Sequence, residues 1–339
     1  SDALGARRLS LLALLTIAGA SLAGWFADGA TWLLLTRICE GLGVIALFAA
    51  GPTMILRAVS ERHLRLAFAA WGTYMPLGQA AMVLLSPLVL RPLGWRGLWV
   101  INAALAAVFA AVYLFGTRVI PDPPSGSLGA AGRGGKIKML GRDLSAVARA
   151  RGPWLLALAF AAYATQFLCV IAFLPTYLGE QRGLGGGAAA SIVGIAIAAN
   201  VPGNFMASWL LQRGASRRLL LGLAALVMGI ASIAIFQPDT PLPAVVALAI
   251  AFSGVGGMVP ATLFSAAPSY APSPGQVGAT NGLILQCINM GQLAGPPLFA
   301  AAVSAWSWAL APGMTVGLAA MGLLLAILIG REEARRSAV

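Results

Sequence analysis

The chain is poor in the residues that supply catalytic and metal-binding chemistry. It has one histidine, His63, which falls in a loop, and three cysteines among 339 residues. Cys39, Cys169 and Cys287 are too scattered for a disulfide framework or a metal site and are expected to pack as small apolar residues. No set of positioned acids, bases or nucleophiles can be assembled from these residues. The sequence therefore predicts no enzyme, no metal and no cofactor.

Charge is scarce as well. Charged residues make up 9% of the chain and hydrophobic residues 59%, and the mean hydropathy is +0.87. A soluble core of this size would need far more surface charge. The apolar runs reach about 20 residues, enough for helices to cross a membrane, and strand alternation is absent. The sequence predicts an all-α polytopic membrane protein with ten spans near 9–27, 31–56, 66–90, 97–117, 153–178, 187–211, 218–237, 241–265, 279–303 and 307–330.

The positive charge lies mainly on one side of these spans. A net charge of +12 would suggest a nucleic-acid partner in a soluble protein. Here one of the two alternating sets of loops carries only Arg91, Arg96 and Arg182, and the other carries nearly all the remaining basic residues. The positive-inside rule makes the second set cytoplasmic. We expect no nucleic-acid partner, a multi-pass location in the bacterial inner membrane and a cytoplasmic C-terminus.

An internal duplication indicates two pseudo-symmetric helical bundles. Arg7 and Arg217 stand in similar basic turns 210 residues apart. The same offset aligns three further pairs without a gap, namely Trp71-Gly72 with Asn281-Gly282, Gln79 with Asn289, and Pro87-Leu88 with Pro297-Leu298. A repeat several spans long is typical of transporters.

The long cytoplasmic loop marks the domain boundary. We expect an N-terminal bundle at 1–117, the loop at 118–152, a six-helix bundle at 153–330 and a tail at 331–339. From Lys136 to Arg151, apolar residues recur at helical spacing among basic ones. This pattern predicts an amphipathic helix on the inner leaflet. A disordered basic loop is the alternative.

Few polar side chains fall near the middle of a span. Because such groups are costly in lipid, they should face the bundle interior or a wet cavity. Hydrogen bonding between packed helices is the alternative explanation for each amide. The candidates are Arg37, Glu40, Tyr74, Gln79, Tyr163, Gln166, Asn200, Asn204, Gln286, Asn289 and Gln292, of which the last three follow one helix face.

Arg37 and Glu40 are the only basic and acidic residues within a span. Three residues apart on a helix, they can neutralise and brace each other. Alternatively, Arg37 attracts an anionic substrate, or Glu40 takes and releases a proton. Both interpretations stay open at this point.

Two basic turns and one helical motif are shared with a known family. Its hallmark loop, Gly-x-Leu-x-Asp-x-x-Gly-Arg-Arg, recurs in degraded form later in the chain. The matching residues are Asp2, Gly5, Arg7 and Arg8 in the first copy, Gly203, Arg213, Gly214, Arg217 and Arg218 in the second, and Leu33, Arg37, Glu40, Gly41 and Gly43 in the fourth-helix motif. In these residues the chain resembles the major facilitator superfamily.

The resemblance implies a fold and a set of roles. The ten spans would correspond to helices three to twelve of twelve, with the candidate polar residues on helices that line a central cavity. It also implies that Asp2, Gly5, Arg7, Arg8, Arg213, Arg217 and Arg218 form a latch between helices in the inward-closed state. A role in topology alone would explain the arginines but not the glycines.

The resemblance also bears on the branch of the family. The stretches Trp71 to Gln79, Asn200 to Asn204 and Asn281 to Pro297 resemble the cyanate-permease-like branch. The drug:proton antiporter signature, a Gly-Pro pair followed by Gly-Gly, is absent between Trp71 and Pro87. This departure disfavours a multidrug exporter.

These observations predict a secondary transporter that moves a small solute, with an anion as one candidate. We expect a monomer in the lipid bilayer, alternating access by rocking of two halves, and coupling to an ion, with a proton as one candidate. Glycines and prolines are expected to interrupt the tenth helix near Gly254 to Pro260 and the eleventh near Gly291 to Pro297. A drug or metabolite exporter, and a membrane sensor or scaffold without transport, are the alternatives.

Overall fold

The computed structural model describes residues 6–60, 63, 67, 71, 73–118, 133–308 and 311–337. These residues are overwhelmingly helical and include no β-strand. The helices are α1 (Ala6–Trp25), α2 (Ala30–Ala58), α3 (Tyr74–Gly116), α4 (Arg133–Arg149), α5 (Arg151–Arg182), α6 (Gly186–Ala198), α7 (Asn200–Gln212), α8 (Arg217–Ile235), α9 (Leu242–Gly256), α10 (Met258–Tyr270), α11 (Val277–Trp306) and α12 (Ala311–Ser337), with a short 3-10 turn at Pro274–Gln276.

The apolar helices confirm the all-α polytopic architecture. Within the described ranges, eight segments are long and apolar enough to cross a membrane. One of them, α3, has 43 residues, about twice the length of one crossing. The pairs α6 with α7 and α9 with α10 each form a single segment. At 30 residues, α11 is also long enough, but its amides and prolines make it less apolar.

The same unusual backbone conformation occurs between the third and fourth predicted spans and between the ninth and tenth. The predicted spans 66–90 and 97–117 meet in α3 at Gly94, which has φ 64° and ψ −172°. Ser307, which follows α11, has φ 71° and ψ 177°. Glycine alone adopts this region without strain. The two turns thus share one backbone conformation between the same pairs of predicted spans, with Ser307 three residues beyond the position that the 210-residue offset gives.

The helix breaks follow the expectation in one place and not in the other. The tenth helix of the fold is interrupted at Gly257, between α9 and α10. The expected interruption of the eleventh is wrong, because α11 runs without a break from Val277 to Trp306. Its glycines serve packing instead: a Cβ at Gly291 would lie 2.3 Å from Thr165 Oγ1 on α5.

Contacts divide the chain into two compact units. The first contains α1, α2 and the part of α3 from Leu85 onward; the second contains Met75–Leu84 and everything from α4 onward. The first unit has a small core of Ala6, Ala50 and Met54. The second has three apolar clusters, and the two larger ones surround the buried side chains of Phe252, Phe299, Tyr177, Leu263 and Tyr270.

The long loop between the fourth and fifth predicted spans contains the helix α4, which favours the helical interpretation of its second part. Residues 119–132 of that loop lie outside the described ranges. At the other end of the chain, α12 continues through the expected tail to Ser337.

Candidate functional site

A polar cluster lies inside the first unit, where α1, α2 and α3 meet. It consists of Ser21 on α1, Arg37 and Glu40 on α2, and Trp99 and Asn102 on α3; we call it the Glu40 cluster. Ser21 is fully buried, and the side chains of Arg37 and Glu40 are 27% and 15% exposed. The two charges predicted from the sequence therefore have partners on all three helices.

Glu40 accepts hydrogen bonds at both carboxylate oxygens. Its Oε2 pairs with Arg37 Nη1 one turn earlier, and its Oε1 accepts from Ser21 Oγ. Asn102 Nδ2 donates to the same Oε1 at 2.8 Å and to Ser21 Oγ at 2.7 Å. These donors offset the cost of holding a carboxylate within a membrane span.

Arg37 and Trp99 bring unpaired donors into the cluster. The guanidinium carbon of Arg37 lies 3.8 Å from the centre of the Trp99 ring, a cation–π contact. Arg37 Nε, Arg37 Nη2 and Trp99 Nε1 are buried without an acceptor in the described part of the chain. Each unmet buried donor costs about 1–3 kcal/mol. N–H donors without acceptors fit a ligand that brings acceptor oxygens.

Gly24 leaves room for this arrangement. A Cβ at Gly24 would stand 3.1 Å from Arg37 Nη2 and 3.4 Å from Trp99 Cγ. The first distance is tighter than ordinary packing and the second is at its limit, so a side chain at this position would push the guanidinium.

In the second unit, Asn200 on α7 connects this helix to α5 and α9. It is 4% exposed, and its Nδ2 donates to Tyr163 Oη and to the Ser253 carbonyl, each at 3.1 Å. Asn204 Nδ2 donates to Asn200 Oδ1 at 2.9 Å. The two Asn200 bonds join α7 to α5 and α9, which fits the interhelical role weighed for each amide, whereas the Asn204 bond lies within α7.

Gln166 has a similar position. It is 2% exposed, and its Nε2 donates to the Thr315 carbonyl at 3.1 Å, which joins α5 to α12. With Tyr163 it lines a small cavity inside the bundle, next to Met228 and Val259.

The amides of α11 are more open. Gln286 and Asn289 are exposed and Gln292 is half-buried, and none has a hydrogen-bond partner recorded among the described residues. In contrast, Ile284, Ile288 and Gly295 form the buried face of the same helix. The three amides are therefore free for a ligand within this unit.

Tyr74 and Gln79 stand on the first turns of α3. Tyr74 is 46% exposed and packs its ring against Phe48 and Trp71 at centroid distances of 5.1 and 6.0 Å. Gln79 is half-buried in the second unit. Neither belongs to the Glu40 cluster.

Each basic turn contacts the last helix of its own unit. Arg7 Nε donates to Thr117 Oγ1 at 3.0 Å, just after α3 ends. Arg217 pairs with Glu333 on α12 at 2.6 Å. The two arginines related by the repeat thus perform equivalent tasks.

The other residues of the expected latch have individual positions. Arg213 lies over the Trp209 ring at 3.8 Å, Arg218 packs beside Gly330, and Arg8 is exposed. Asp2 and Gly5 lie outside the described residues. The latch between helices of the closed state stays a prediction.

Residues 1–287 match the family model described as Major Facilitator Superfamily. The chain belongs to this superfamily. No curated protein matches it. Solved structures of facilitators agree: the E. coli fucose:proton symporter FucP has 16% identity and a TM-score of 0.68 over 97% of this chain and 85% of FucP. An inward-facing, occupied bacterial homologue of the human lysosomal transporter Spinster has 16% identity and a TM-score of 0.63, over 96% and 80%.

At this identity the two structures show a shared facilitator fold. Together with the family model, they point to a multi-pass transporter rather than an enzyme. Sequence reasoning missed Ser21, Trp99 and Asn102 as members of the polar cluster. The available signal was the amide of Asn102 within an apolar run, but this residue stands near the start of the predicted span 97–117 and not at its middle.

Proposed function

We propose that this facilitator is a secondary active transporter that carries a small solute by alternating access and is coupled to a proton. The Glu40 cluster is the observation that carries the proposal, since it places an ionisable pair and unpaired donors inside membrane spans. Ionisable residues at such depth typically mark substrate or proton pathways. The similar fold of FucP, named as a proton symporter, supports proton coupling.

A small anion is the solute that the cluster fits best. Arg37 Nε and Nη2 and Trp99 Nε1 offer N–H groups without acceptors. A guanidinium binds oxyanions through parallel hydrogen bonds from its planar edge. Glu40 already occupies Nη1, so the anion would meet the opposite side of the guanidinium.

Protonation of Glu40 would link the proton to the anion. The ionised carboxylate neutralises Arg37 and removes the attraction for a second anion. When Glu40 is protonated, the charge of Arg37 is left unbalanced and a bound anion can neutralise it. The cluster then has no net charge in either state, so neither state holds an isolated buried charge. Transport of one proton with one monovalent anion would be electroneutral.

Reconstitution of the full-length protein in proteoliposomes tests the proposal. Counterflow of labelled small monovalent anions should identify a solute, and an inward proton gradient should then drive its accumulation. A potassium diffusion potential should leave the rate unchanged. Glu40→Gln mimics the protonated carboxyl and should keep anion exchange while losing proton-driven accumulation.

Three results would contradict parts of this proposal. Counterflow with neutral solutes only would contradict an anionic solute. A transport rate that depends on the membrane potential would contradict electroneutral coupling. No counterflow with any solute would favour a sensor or scaffold.

A further inference from the structure

The helix α4 has a composition suited to a charged surface. Its 17 residues include five basic residues and one acidic residue, Asp143. A single residue, Ala150, separates it from the membrane span α5. The C-terminal end of α4 must therefore lie at the membrane surface where α5 begins.

The described side chains of α4 fall on three faces. Asp143 and Val147, one turn apart, face the protein: Val147 is 2% exposed, and Asp143 Oδ1 accepts from Gln276 Nε2 at 3.0 Å. Arg142 and Arg149, two turns apart, share an exposed face. Leu144 is 51% exposed and lies nearly opposite Arg142 around the helix.

We propose that α4 binds the anionic phospholipid surface of this leaflet and thereby holds the start of α11 in place. In this arrangement α4 lies at headgroup depth with Leu144 toward the acyl boundary, and the long side chains of Arg142 and Arg149, which start on the outer face, extend to headgroup phosphates beside the helix. Helices with an apolar face and a basic face lie in the interface of anionic membranes. A soluble acidic partner would match the arginines but would leave Leu144 in water.

Among the described side chains, two hydrogen bonds connect α4 to the span α5 and to the turn before α11. Trp154 Nε1 on α5 donates to the Ala148 carbonyl at 2.8 Å. Gln276, which binds Asp143, belongs to the turn directly before α11. The helix α11 carries the candidate solute-binding amides Gln286 and Asn289. Through the Asp143–Gln276 bond, binding of α4 to lipid would therefore affect the position of this helix.

Hydrogen–deuterium exchange of the full-length protein tests this directly. We compare nanodiscs of neutral phosphatidylcholine with nanodiscs that also contain phosphatidylglycerol. Exchange in residues 141–149 and 276–280 should be several-fold slower with phosphatidylglycerol, and high salt should reduce the difference. Arg142→Gln with Arg149→Gln should abolish it. Arg91→Gln with Arg335→Gln, which removes the same charge from exposed positions elsewhere, should retain it.

The link to α11 has its own variants. Asp143→Ala and Gln276→Leu should each keep the lipid-dependent protection of 141–149 and lose that of 276–280. If 276–280 still responds to lipid in both variants, the link is wrong.

Other outcomes overturn the lipid surface itself. Equal exchange in the two kinds of nanodisc would do so. The proposal would also be wrong if inorganic phosphate gave the same protection in neutral nanodiscs, because that result indicates a site for a free anion. The same protection from an acidic peptide would indicate a protein partner instead.

Discussion

Arg37 and Glu40 neutralise each other, so a change to one reveals the role of the other. If Arg37 is the cation that binds the solute, Arg37→Gln should abolish anion binding. Arg37→Lys should retain part of it, because the positive charge survives although the planar guanidinium is lost. Binding of the anion identified by counterflow, measured on purified variants, gives the answer.

The double variant is the control for this prediction. If the pair only braces α2, Arg37→Gln leaves an unpaired carboxylate, and adding Glu40→Gln should restore the lost binding because no uncompensated charge remains. Recovery in the double variant would make Arg37 structural. We expect no recovery.

The amides of the second unit should fall into two groups. Asn289→Leu and Gln286→Leu should weaken solute binding and change the unfolding free energy by less than about 0.5 kcal/mol, since neither side chain has a hydrogen-bond partner among the described residues. Asn200→Leu removes the bonds to Tyr163 and Ser253 and should cost about 1–3 kcal/mol. Thermal unfolding and binding assays on each variant separate the groups. Equal destabilisation by all three would mean that the α11 amides also hold helices together.

Spacing along one helix was enough to predict that Arg37 and Glu40 meet. It could not predict Ser21 and Asn102, which stand on other helices and reach Glu40 only through packing. The sequence also could not separate Asn200 from Asn289. Both are amides in apolar runs, and only the neighbouring helix shows that Asn200 has partners.

In the second unit the broken span formed by α6 and α7 crosses closely over the broken span formed by α9 and α10. A Cβ at Gly203 on α7 would lie 1.9 Å from the Gly254 carbonyl oxygen on α9, and one at Gly257 would lie 2.2 Å from the Asn200 carbonyl oxygen. Small residues allow this approach between membrane helices. The stretch from Asn200 to Asn204, which the sequence associated with a family branch, therefore builds this crossing.

Gly203→Ala should force α7 and α9 apart. We expect a loss of about 1–3 kcal/mol of unfolding free energy, as for other overpacked interiors. Gly282→Ala is the matched control, because a Cβ there meets no atom within 4 Å. Equal unfolding temperatures for the two variants would contradict the close crossing.

At the scale of the whole molecule, the 210-residue offset relates more than sequence. Arg7 and Arg217 each bind the end of the last helix of their unit. Gly94 and Ser307 also turn the chain with the same backbone conformation, although they are 213 residues apart and so lie three residues off that offset. The repeat was predictable because its residues align without a gap. The membership of Met75–Leu84 in the second unit was not, because it depends on tertiary contacts.

The two turns should respond in opposite ways to substitution. Gly94→Ala introduces a Cβ into a glycine-only conformation and should cost about 1–3 kcal/mol, although the surrounding space is open. Ser307→Gly removes the same strain and should stabilise by up to about 1 kcal/mol. Gly116→Ala, at a helical position with open space, is the control and should not destabilise. Melting temperatures measure all three, and a neutral Gly94→Ala would contradict the argument.

Trp99 gives this site an optical property. Its indole lies directly beneath the Arg37 guanidinium, and the emission of an indole shifts when a nearby charge moves. The chain contains nine tryptophans, so the difference spectrum between the native protein and Trp99→Phe isolates this one. If Arg37 binds the solute as proposed, fluorescence of the unlabelled protein should report, in real time, when the guanidinium exchanges its carboxylate partner for a solute.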